Sequence, residues 1–364
     1  MSEVNEALVK DALRKVRWPD VAKDVVTVGL VKKIEVGAKI VIHVEIPTIV
    51  VAPAVREAFE KELKLAAEGV AGGKPVEIAA TVKTAAMPPA PDKNRLPGVK
   101  NVIAVASGKG GVGKSTVATN LALALKRWGA KVGMLDADVF GPSIPQMLGV
   151  ASKPAGGNEN KRIGPAIHYD MPVISVGFFV DKGDAVVWRG PMVHKLLQQF
   201  MEDVDWGELD YLVIDLPPGT GDVQLSLSQL IPISGAVMVT TPQEVALIDV
   251  VKGVSMFKKV EIPILGVIEN MSGFTCTQCG HHEDIFSRGG GKDLAQREDT
   301  MFLGEVPIDT RIRIAGDAGT PIVVADPTGP HAKIFMDLAA RVAGRLVSQV
   351  LSGPRRSASL VTIR

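Results

Sequence analysis

Apolar and polar positions alternate most regularly between residues 39 and 46. Ile40, Ile42, Val44 and Ile46 fall on one side, and the intervening residues fall on the other. A period of two predicts a β-strand with one buried face. Helices are predicted at residues 2–17 and 53–68, and further strands at residues 25–31 and 76–84. The order helix, strand, strand, helix, strand predicts a small α+β domain over residues 1–85.

Beyond residue 100 the pattern changes to short apolar runs that alternate with helical stretches. Strands are predicted at residues 101–106, 132–136, 173–176, 211–215, 236–240, 265–269 and 302–306. Helices are predicted at residues 114–128, 192–204, 222–230, 243–259, 311–318 and 330–351. Continuously apolar strands that alternate with helices are typical of a parallel sheet covered on both faces. We therefore expect a doubly wound, mainly parallel α/β domain over residues 100–351.

Three stretches interrupt these patterns. Residues 86–99 contain four prolines and few apolar residues, which is typical of a semi-rigid linker between domains. Residues 151–162 are polar and glycine-rich, which predicts a mobile loop. Residues 352–364 are predicted to form a flexible tail.

The composition limits the classes of function. With 364 residues, 46% hydrophobic and 22% charged, the chain fits a soluble globular protein of about two domains. A net charge of +1 and an aromatic content of 4% argue against a nucleic-acid partner. No apolar run approaches the ~18 residues of a membrane span, and the acidic N-terminus has no signal-peptide core. We expect a cytoplasmic protein without a membrane or nucleic-acid partner.

The segment 107–116 carries the most specific motif. It reads Ser-Gly-Lys-Gly-Gly-Val-Gly-Lys-Ser-Thr and fits the phosphate-loop pattern G-x-x-x-x-G-K-S/T between a predicted strand and a predicted helix. Glycine-rich backbone turns its N–H groups toward an anion, and the helix N-terminus adds positive potential. Lys114 then neutralises the β- and γ-phosphates of ATP, and the Ser115 hydroxyl binds Mg²⁺. The predicted nucleotide-binding residues are Gly108, Lys109, Gly110, Gly111, Val112, Gly113, Lys114, Ser115 and Thr116.

Other polar residues follow predicted strands, at the sheet edge where ligands bind in such folds. Asp136 and Asp138 lie at the end of one strand. Asp215 ends an apolar strand in the Walker B arrangement and is predicted to hold Mg²⁺ through water. Asn270 follows a further strand, where its amide is able to pair with the edge of adenine. Two of these residues also fit ordinary local roles, Asp136 as the cap of the next helix and Asn270 in an Asx turn.

Cys276 and Cys279 are the only cysteines, and their C-x-x-C spacing indicates metal binding or redox chemistry. Two thiolates do not complete a four-coordinate metal site. A second copy of the chain supplies Cys₄ at a two-fold axis, which suits a 4Fe–4S cluster. The alternatives are a zinc site completed by His281 or His282 and a redox dithiol.

The loop with its additional Lys109 resembles the deviant Walker loop of dimeric ATPases such as MinD, ParA, the nitrogenase iron protein and the Mrp/ApbC carriers. Residues 136–143 (Asp-Ala-Asp-Val-Phe-Gly-Pro-Ser) and 215–222 (Asp-Leu-Pro-Pro-Gly-Thr-Gly-Asp) resemble the Mrp/ApbC branch specifically. The position of the C-x-x-C pair after Glu-Asn-Met-Ser in such an ATPase favours the shared 4Fe–4S cluster.

This resemblance implies a homodimeric iron–sulfur cluster carrier that hydrolyses ATP slowly and delivers a labile cluster to apo-proteins, with assembly scaffold proteins as further partners. It implies that Lys109 reaches the nucleotide of the facing subunit and that Asp138 orients the attacking water. It also places Asp136 near the magnesium shell and Asn270 at the adenine.

Residues 1–85 resemble the small iron–sulfur-assembly domain that precedes the ATPase in many Mrp-type proteins. The cysteine that this domain usually carries is missing from residues 48–56, so thiolate chemistry is excluded there and a structural or docking role is as well supported.

Two other classes of function remain as alternatives. One is a positioning ATPase of the MinD or ParA type, but the last predicted helix has a core-like apolar stripe instead of a basic membrane-binding face. The other is an electron-donating reductase like the nitrogenase iron protein. The ligand cysteines of that protein are far apart in sequence, unlike Cys276 and Cys279.

Overall fold

A computed structural model describes residues 4–88, 96–155, 162–179, 190–276 and 278–353. The chain forms two compact units. The first contains the chain up to Ala86 together with the chain from Ala343 onward, and the second runs from Met87 to Val342. Much of the predicted linker, half of the predicted loop at residues 151–162 and nearly all of the predicted tail lie outside the described residues.

The first unit is a three-stranded sheet with helices, as the alternating pattern predicts. Its elements are α1 (Glu6–Leu13), β1 (Val31–Val36), β2 (Ile40–Ile46), α2 (Pro53–Glu68) and β3 (Val76–Val82). The order in the sheet is β1-β2-β3, antiparallel between the first two strands and parallel between the last two. The apolar side of β2 is buried with Leu13 and Leu63. Trp18 packs edge-on against Phe59, with ring centroids 4.8 Å apart.

The strand predicted at residues 25–31 is wrong, because a local turn competes with it. Asp24 Oδ1 accepts the backbone N–H of Thr27 at 2.9 Å, and Asp24 Oδ2 accepts the Thr27 hydroxyl at 2.6 Å. Such side-chain bonds to the following backbone stabilise an Asx turn. Gly29 then takes a left-handed φ of 75°, and the strand begins only at Val31.

The first helix is also shorter than the predicted range 2–17. Its N-cap is Asn5, whose Oδ1 accepts the Leu8 N–H at 2.9 Å. The helix ends at Leu13, and a turn at residues 14 and 15 is followed by an isolated bridge between Arg17 and Asp24.

The second unit is built on a nine-stranded sheet. Its first half contains β4 (Val102–Ser107), α3 (Lys114–Arg127), β5 (Val132–Asp136), α4 (Ile144–Leu148), β6 (Ala166–His168), β7 (Met171–Ser175), α5 (Gly190–Glu202), β8 (Tyr211–Asp215) and α6 (Asp222–Leu230). Its second half contains β9 (Gly235–Thr240), α7 (Glu244–Lys259), β10 (Ile264–Thr275), β11 (His282–Glu283), α8 (Gly290–Arg297), β12 (Phe302–Ile308), α9 (Thr310–Asp317), α10 (Ile322–Ala325) and α11 (Pro330–Ser352).

The strand order is β11-β10-β9-β4-β8-β5-β7-β6, with β12 paired to β10. All pairs are parallel except β6 with β7 and β10 with β11. The central strands β4, β5, β8 and β9 are buried at every position. This confirms the predicted doubly wound, mainly parallel fold, and it brings the carboxyl ends of these strands to one edge of the sheet.

The strand predicted at residues 265–269 continues much further than the apolar run. β10 extends to Thr275, with a left-handed φ of 58° at Met271 and 70° at Gly273. Its pairing with β12 is irregular between Asn270 and Phe274, after which the strand pairs with β11. The polar sequence after residue 269 therefore lies within a bent strand and does not end it.

The end of α11 belongs to the first unit, although the sequence pattern places the whole helix in the α/β domain. Val347 is buried in the core of the first unit, and the Ser348 hydroxyl donates to the Asp20 carbonyl at 2.6 Å. No helix among the described residues is both long and apolar enough to cross a membrane.

The N-cap of helix α9 is Asp309, whose carboxylate accepts several hydrogen bonds. Asp309 accepts the Arg311 backbone N–H at 2.8 Å and binds the Arg311 guanidinium at 2.9 and 2.7 Å. The Asp309 side chain is only 8% exposed. The Arg311 guanidinium beside it lowers the pKa of Asp309 to about 2.

We expect Asp309→Asn to lower the free energy of unfolding by on the order of 2 kcal/mol at pH 7. Because the folded-state pKa is depressed, the contribution is fully present above the unfolded-state pKa of ~3.9 and is lost as the pH falls toward 2. Urea unfolding of wild type and variant at pH 7, 4 and 3 measures this difference. A difference independent of pH would contradict the assignment to the carboxylate charge.

Candidate nucleotide and thiol site

The phosphate loop joins β4 to α3, and its glycines are required by close contacts. A Cβ atom on Gly108 would lie 2.3 Å from the carbonyl carbon of Asp249 in α7. A Cβ atom on Gly113, whose φ is 78°, would lie 2.2 Å from the amide nitrogen of Asn270. Neither position accepts a side chain without displacement of its neighbour. The loop is therefore packed between α7 and β10.

Lys114 lies at the centre of the predicted site, almost completely buried. Its Nζ is 2.6 Å from Asp215 Oδ1 and 3.4 Å from Asp138 Oδ2. The Ser115 hydroxyl donates to Asp215 Oδ2 at 2.6 Å. The structure thus brings together four residues that the sequence analysis placed at the phosphates, the magnesium ion and the attacking water.

Burial alters the acidity of two neighbouring carboxyl groups at this edge. Burial and, to a smaller extent, the nearby charge of Asp215 raise the pKa of Asp136 to about 7, against the opposing effect of hydrogen bonds from Ser175 and backbone N–H groups. Burial also raises the pKa of Asp215, against the opposing effect of Lys114 and Ser115. Buried carboxylates beside a hydroxyl form the hard oxygen donor set that Mg²⁺ prefers, so these residues fit the ion.

Asp136 and Asp138 both make local bonds to backbone. Asp136 Oδ2 accepts the N–H of Ile144 at 3.1 Å and the Ser175 hydroxyl at 2.9 Å, so Asp136 caps α4. Asp138 Oδ1 accepts the N–H of Phe140 at 3.2 Å. The capping alternative therefore describes what Asp136 does here, and its place near the magnesium shell stays a prediction.

Lys109 and Asn270 contact the loop in different ways. The Lys109 carbonyl accepts the Ser107 hydroxyl at 2.9 Å, while its partly exposed side chain makes no hydrogen bond or ion pair with the described residues. The buried Asn270 amide donates to the Val112 carbonyl at 2.8 Å. Asn270 thus touches the phosphate loop itself, and the adenine contact and the action of Lys109 across a dimer stay predictions.

The two cysteines lie on a tight turn directly after β10. The Cys276 N–H donates to the His281 carbonyl at 2.8 Å, and the Gly280 N–H donates to the Cys276 carbonyl at 2.9 Å. Both thiols are free, Cys276 partly exposed and Cys279 exposed. The backbone N–H of Cys279, with that of Gln278, points at the Cys276 sulfur and lowers the pKa of its thiol. This favours the thiolate, the form that binds metals.

The histidines beside the thiols have other partners or lie in solvent. His282 is hydrogen-bonded to Thr275 at 3.2 Å and to Asp284 at 3.1 Å, while His281 is exposed. In the described part of the chain, no three His, Cys, Asp or Glu residues are placed to hold a metal ion.

One residue of this region, Glu269, escaped the sequence analysis. It is completely buried beside Asn270, and its carboxylate binds the N-terminus of α8. The available signal was a charged residue at the end of an otherwise apolar strand, since buried glutamates are rare unless they are paired. Helix α8 was missed as well, because its opening glycines have low helix propensity.

Known proteins match this chain both over its second unit and over nearly its whole length. The family model described as ParA, the NUBPL iron-transfer P-loop NTPase, matches residues 98–343. An iron-sulfur cluster carrier protein of Haemophilus influenzae is 42% identical over 341 residues, which are 94% of this chain and 92% of that protein. The iron-sulfur cluster transfer protein NUBPL of Mus musculus is 49% identical over 260 residues, 71% of this chain and 81% of that protein.

Solved structures agree on the fold. A nucleotide-binding protein of Archaeoglobus fulgidus in complex with ADP is 38% identical, with a TM-score of 0.57, over 66% of this chain and 94% of that chain. The cell division ATPase MinD of Pyrococcus furiosus is 24% identical, with a TM-score of 0.52, over 66% of this chain and 98% of that chain, and this likeness bears on the fold alone. The phosphate loop, the Asp215 strand end and the parallel sheet are those of a P-loop NTPase, and the chain belongs to the NUBPL iron-transfer P-loop NTPase family.

Proposed function

We propose that this protein is an ATP-binding iron–sulfur cluster carrier that hydrolyses ATP slowly. It binds a 4Fe–4S cluster between two copies of the chain and transfers it to apo-proteins. The observation that carries this proposal is the continuity of β10, which touches the phosphate loop through Asn270 and leads directly to the thiol of Cys276. One strand thus joins the nucleotide site to the thiol pair.

The residues of the nucleotide site have separable roles. Lys114 holds the β- and γ-phosphates, and the loop N–H groups add further donors. Ser115 and Asp215 hold Mg²⁺, which neutralises charge on the transferred phosphoryl group when it is bound. Asp138 orients the attacking water, and its carboxylate is already fixed by the turn at Phe140. Hydrolysis then depends on positioning and electrostatics more than on covalent chemistry.

A second copy of the chain is proposed to cover the edge that carries the phosphate loop. Val245 and Ile248 lie one helical turn apart at the start of α7 and are 67% and 56% exposed. The same helix contacts the loop at Gly108. Phe140, which follows Asp138, is 67% exposed. Large exposed apolar side chains around a polar site are typical of a surface that a partner covers.

We expect Lys109→Ala to keep most ATP binding and to lose hydrolysis, because the proposed target of Lys109 is the nucleotide of the partner. Binding is measured by calorimetry and hydrolysis by phosphate release. Lys153→Ala, a change at another exposed lysine, is the control and should leave both unchanged. Loss of binding equal to that of Lys114→Ala would show that Lys109 is only a ligand within its own chain.

A further inference from the structure

The buried carboxylate of Glu269 binds residues on both sides of the cysteine loop, which we define as residues 276–287, the segment that carries the thiols. Its Oε1 accepts the Ser272 hydroxyl at 2.6 Å, on the side where the chain enters this segment. The same atom accepts the Gly289 N–H at 2.9 Å, and Oε2 accepts the Gly291 N–H at 2.6 Å, on the side where the chain leaves it. Glu269 is therefore a clamp at the base of the cysteine loop.

A more exposed ion pair, Arg288 with Glu305, makes a second connection at the base of the cysteine loop. The Ser272 hydroxyl lies 3.2 Å from Glu305 Oε2 in β12. The Arg288 Nε donates to that same oxygen at 3.1 Å, and a terminal nitrogen of Arg288 binds the other Glu305 oxygen. Arg288 directly precedes Gly289. The entry and exit of the cysteine loop are thus joined twice, once through Glu269 and once through Glu305.

The residues next to Glu269 face the phosphate loop. The Asn270 amide binds the Val112 carbonyl. The Met271 methyl group lies 3.7 Å from the point that a Cβ atom on Gly113 would occupy. The left-handed φ of 58° at Met271 fixes the bend that sends the strand onward to the thiols. Two adjacent residues of β10 therefore contact the two loops of the site, Glu269 the cysteine loop and Asn270 the phosphate loop.

We propose that Glu269 is a positioning residue that couples occupancy of the phosphate loop to the geometry of the two thiols. This inference rests on the proposed function. A ligand on the phosphate loop displaces Val112 and Gly113, and these residues displace Asn270 and Met271, which contact them. The hydrogen-bonded clamp transmits that displacement to both ends of the cysteine loop. Coupling of this kind is reciprocal: the nucleotide changes the affinity of the thiols for a metal, and the metal changes the affinity for the nucleotide, by the same factor.

The test measures thiol reactivity in the full chain without a cluster. Alkylation of Cys276 and Cys279 by iodoacetamide is followed by mass spectrometry with and without Mg-ADP. We expect the nucleotide to change the rate by about fivefold or more in wild type. In Glu269→Gln the change should fall below about 1.5-fold, while nucleotide affinity stays within about twofold of wild type. Glutamine keeps the shape but turns an N–H donor toward a backbone N–H.

Glu283→Gln is the matched control, because this exposed glutamate lies on the cysteine loop outside the clamp and should respond like wild type. Ser272→Ala removes one hydroxyl only and serves if Glu269→Gln does not fold; it should reduce the response at least by half. An equal nucleotide response in wild type and both clamp variants overturns the proposal, as does a wild type that binds Mg-ADP with no change in alkylation. Failure to bind nucleotide or take up a cluster would instead count against the proposed function.

Discussion

In Lys114→Ala we expect the affinity for Mg-ATP to fall by about 30- to 5,000-fold. This loss corresponds to about 2–5 kcal/mol, the cost of removing one partner of a buried, hydrogen-bonded charge pair. The reason is that Lys114 supplies the principal positive charge of the loop and is almost completely buried among carboxylates. Isothermal titration calorimetry measures the affinity directly.

The experiment has to separate a loss of ATP binding from a loss of folding, because Lys114 also neutralises Asp215 and Asp138. Circular dichroism and thermal unfolding show whether the variant is folded. Lys114→Met keeps the length of the aliphatic chain without the charge and is the second variant. Lys126→Ala, at a partly exposed lysine at the far end of α3, is the control. Wild-type affinity in a folded Lys114 variant would refute the assignment of the phosphate site.

The second large effect concerns the thiols. We expect Cys276→Ser and Cys279→Ser each to remove the stable cluster, because each chain supplies two ligands and a Cys₄ site needs two chains. Wild type reconstituted with iron and sulfide under anaerobic conditions should hold about four irons per dimer. Native mass spectrometry of wild type and both variants measures the stoichiometry.

Three further measurements distinguish a shared cluster from the alternative thiol sites. ATP affinity should survive in both cysteine variants, since the thiols lie outside the phosphate loop. Removal of iron by a chelator should weaken the dimer, because the cluster links its halves. A monomer that retains a full cluster, or tight stoichiometric zinc without iron uptake, would instead favour a single-chain site completed by His281 or His282.

Much of the fold follows from apolar patterning. The central parallel strands are predictable because burial on both faces requires continuous apolar runs, as in β4 and β9. The phosphate loop and Asp215 are predictable because glycines, a lysine and a strand-ending carboxylate occur at fixed spacing within that pattern. Their contact at 2.6 Å follows once both elements are neighbours in a parallel sheet.

The parts that were missed depend on contacts between distant residues. The turn at Asp24 outweighed the strand pattern that follows it. The N-terminus of helix α8 is bound by Glu269, about twenty positions earlier, and no local pattern in the sequence records that bond. The bend at Met271 is likewise a tertiary effect, since a non-glycine residue adopts a left-handed φ only where its surroundings impose it.

The contact group of Lys114, Ser115 and Asp215 has a consequence for selectivity. A phosphate that draws Lys114 toward itself removes the cation from Asp215, and a buried carboxylate without a cation is unfavourable. Inorganic phosphate or sulfate brings negative charge alone. A nucleotide complexed with magnesium would bring a replacement cation with it, to a carboxylate and a hydroxyl that are already in contact. We therefore expect simple anions to compete poorly with a magnesium-bound nucleotide at this loop, because they leave Asp215 without a cation.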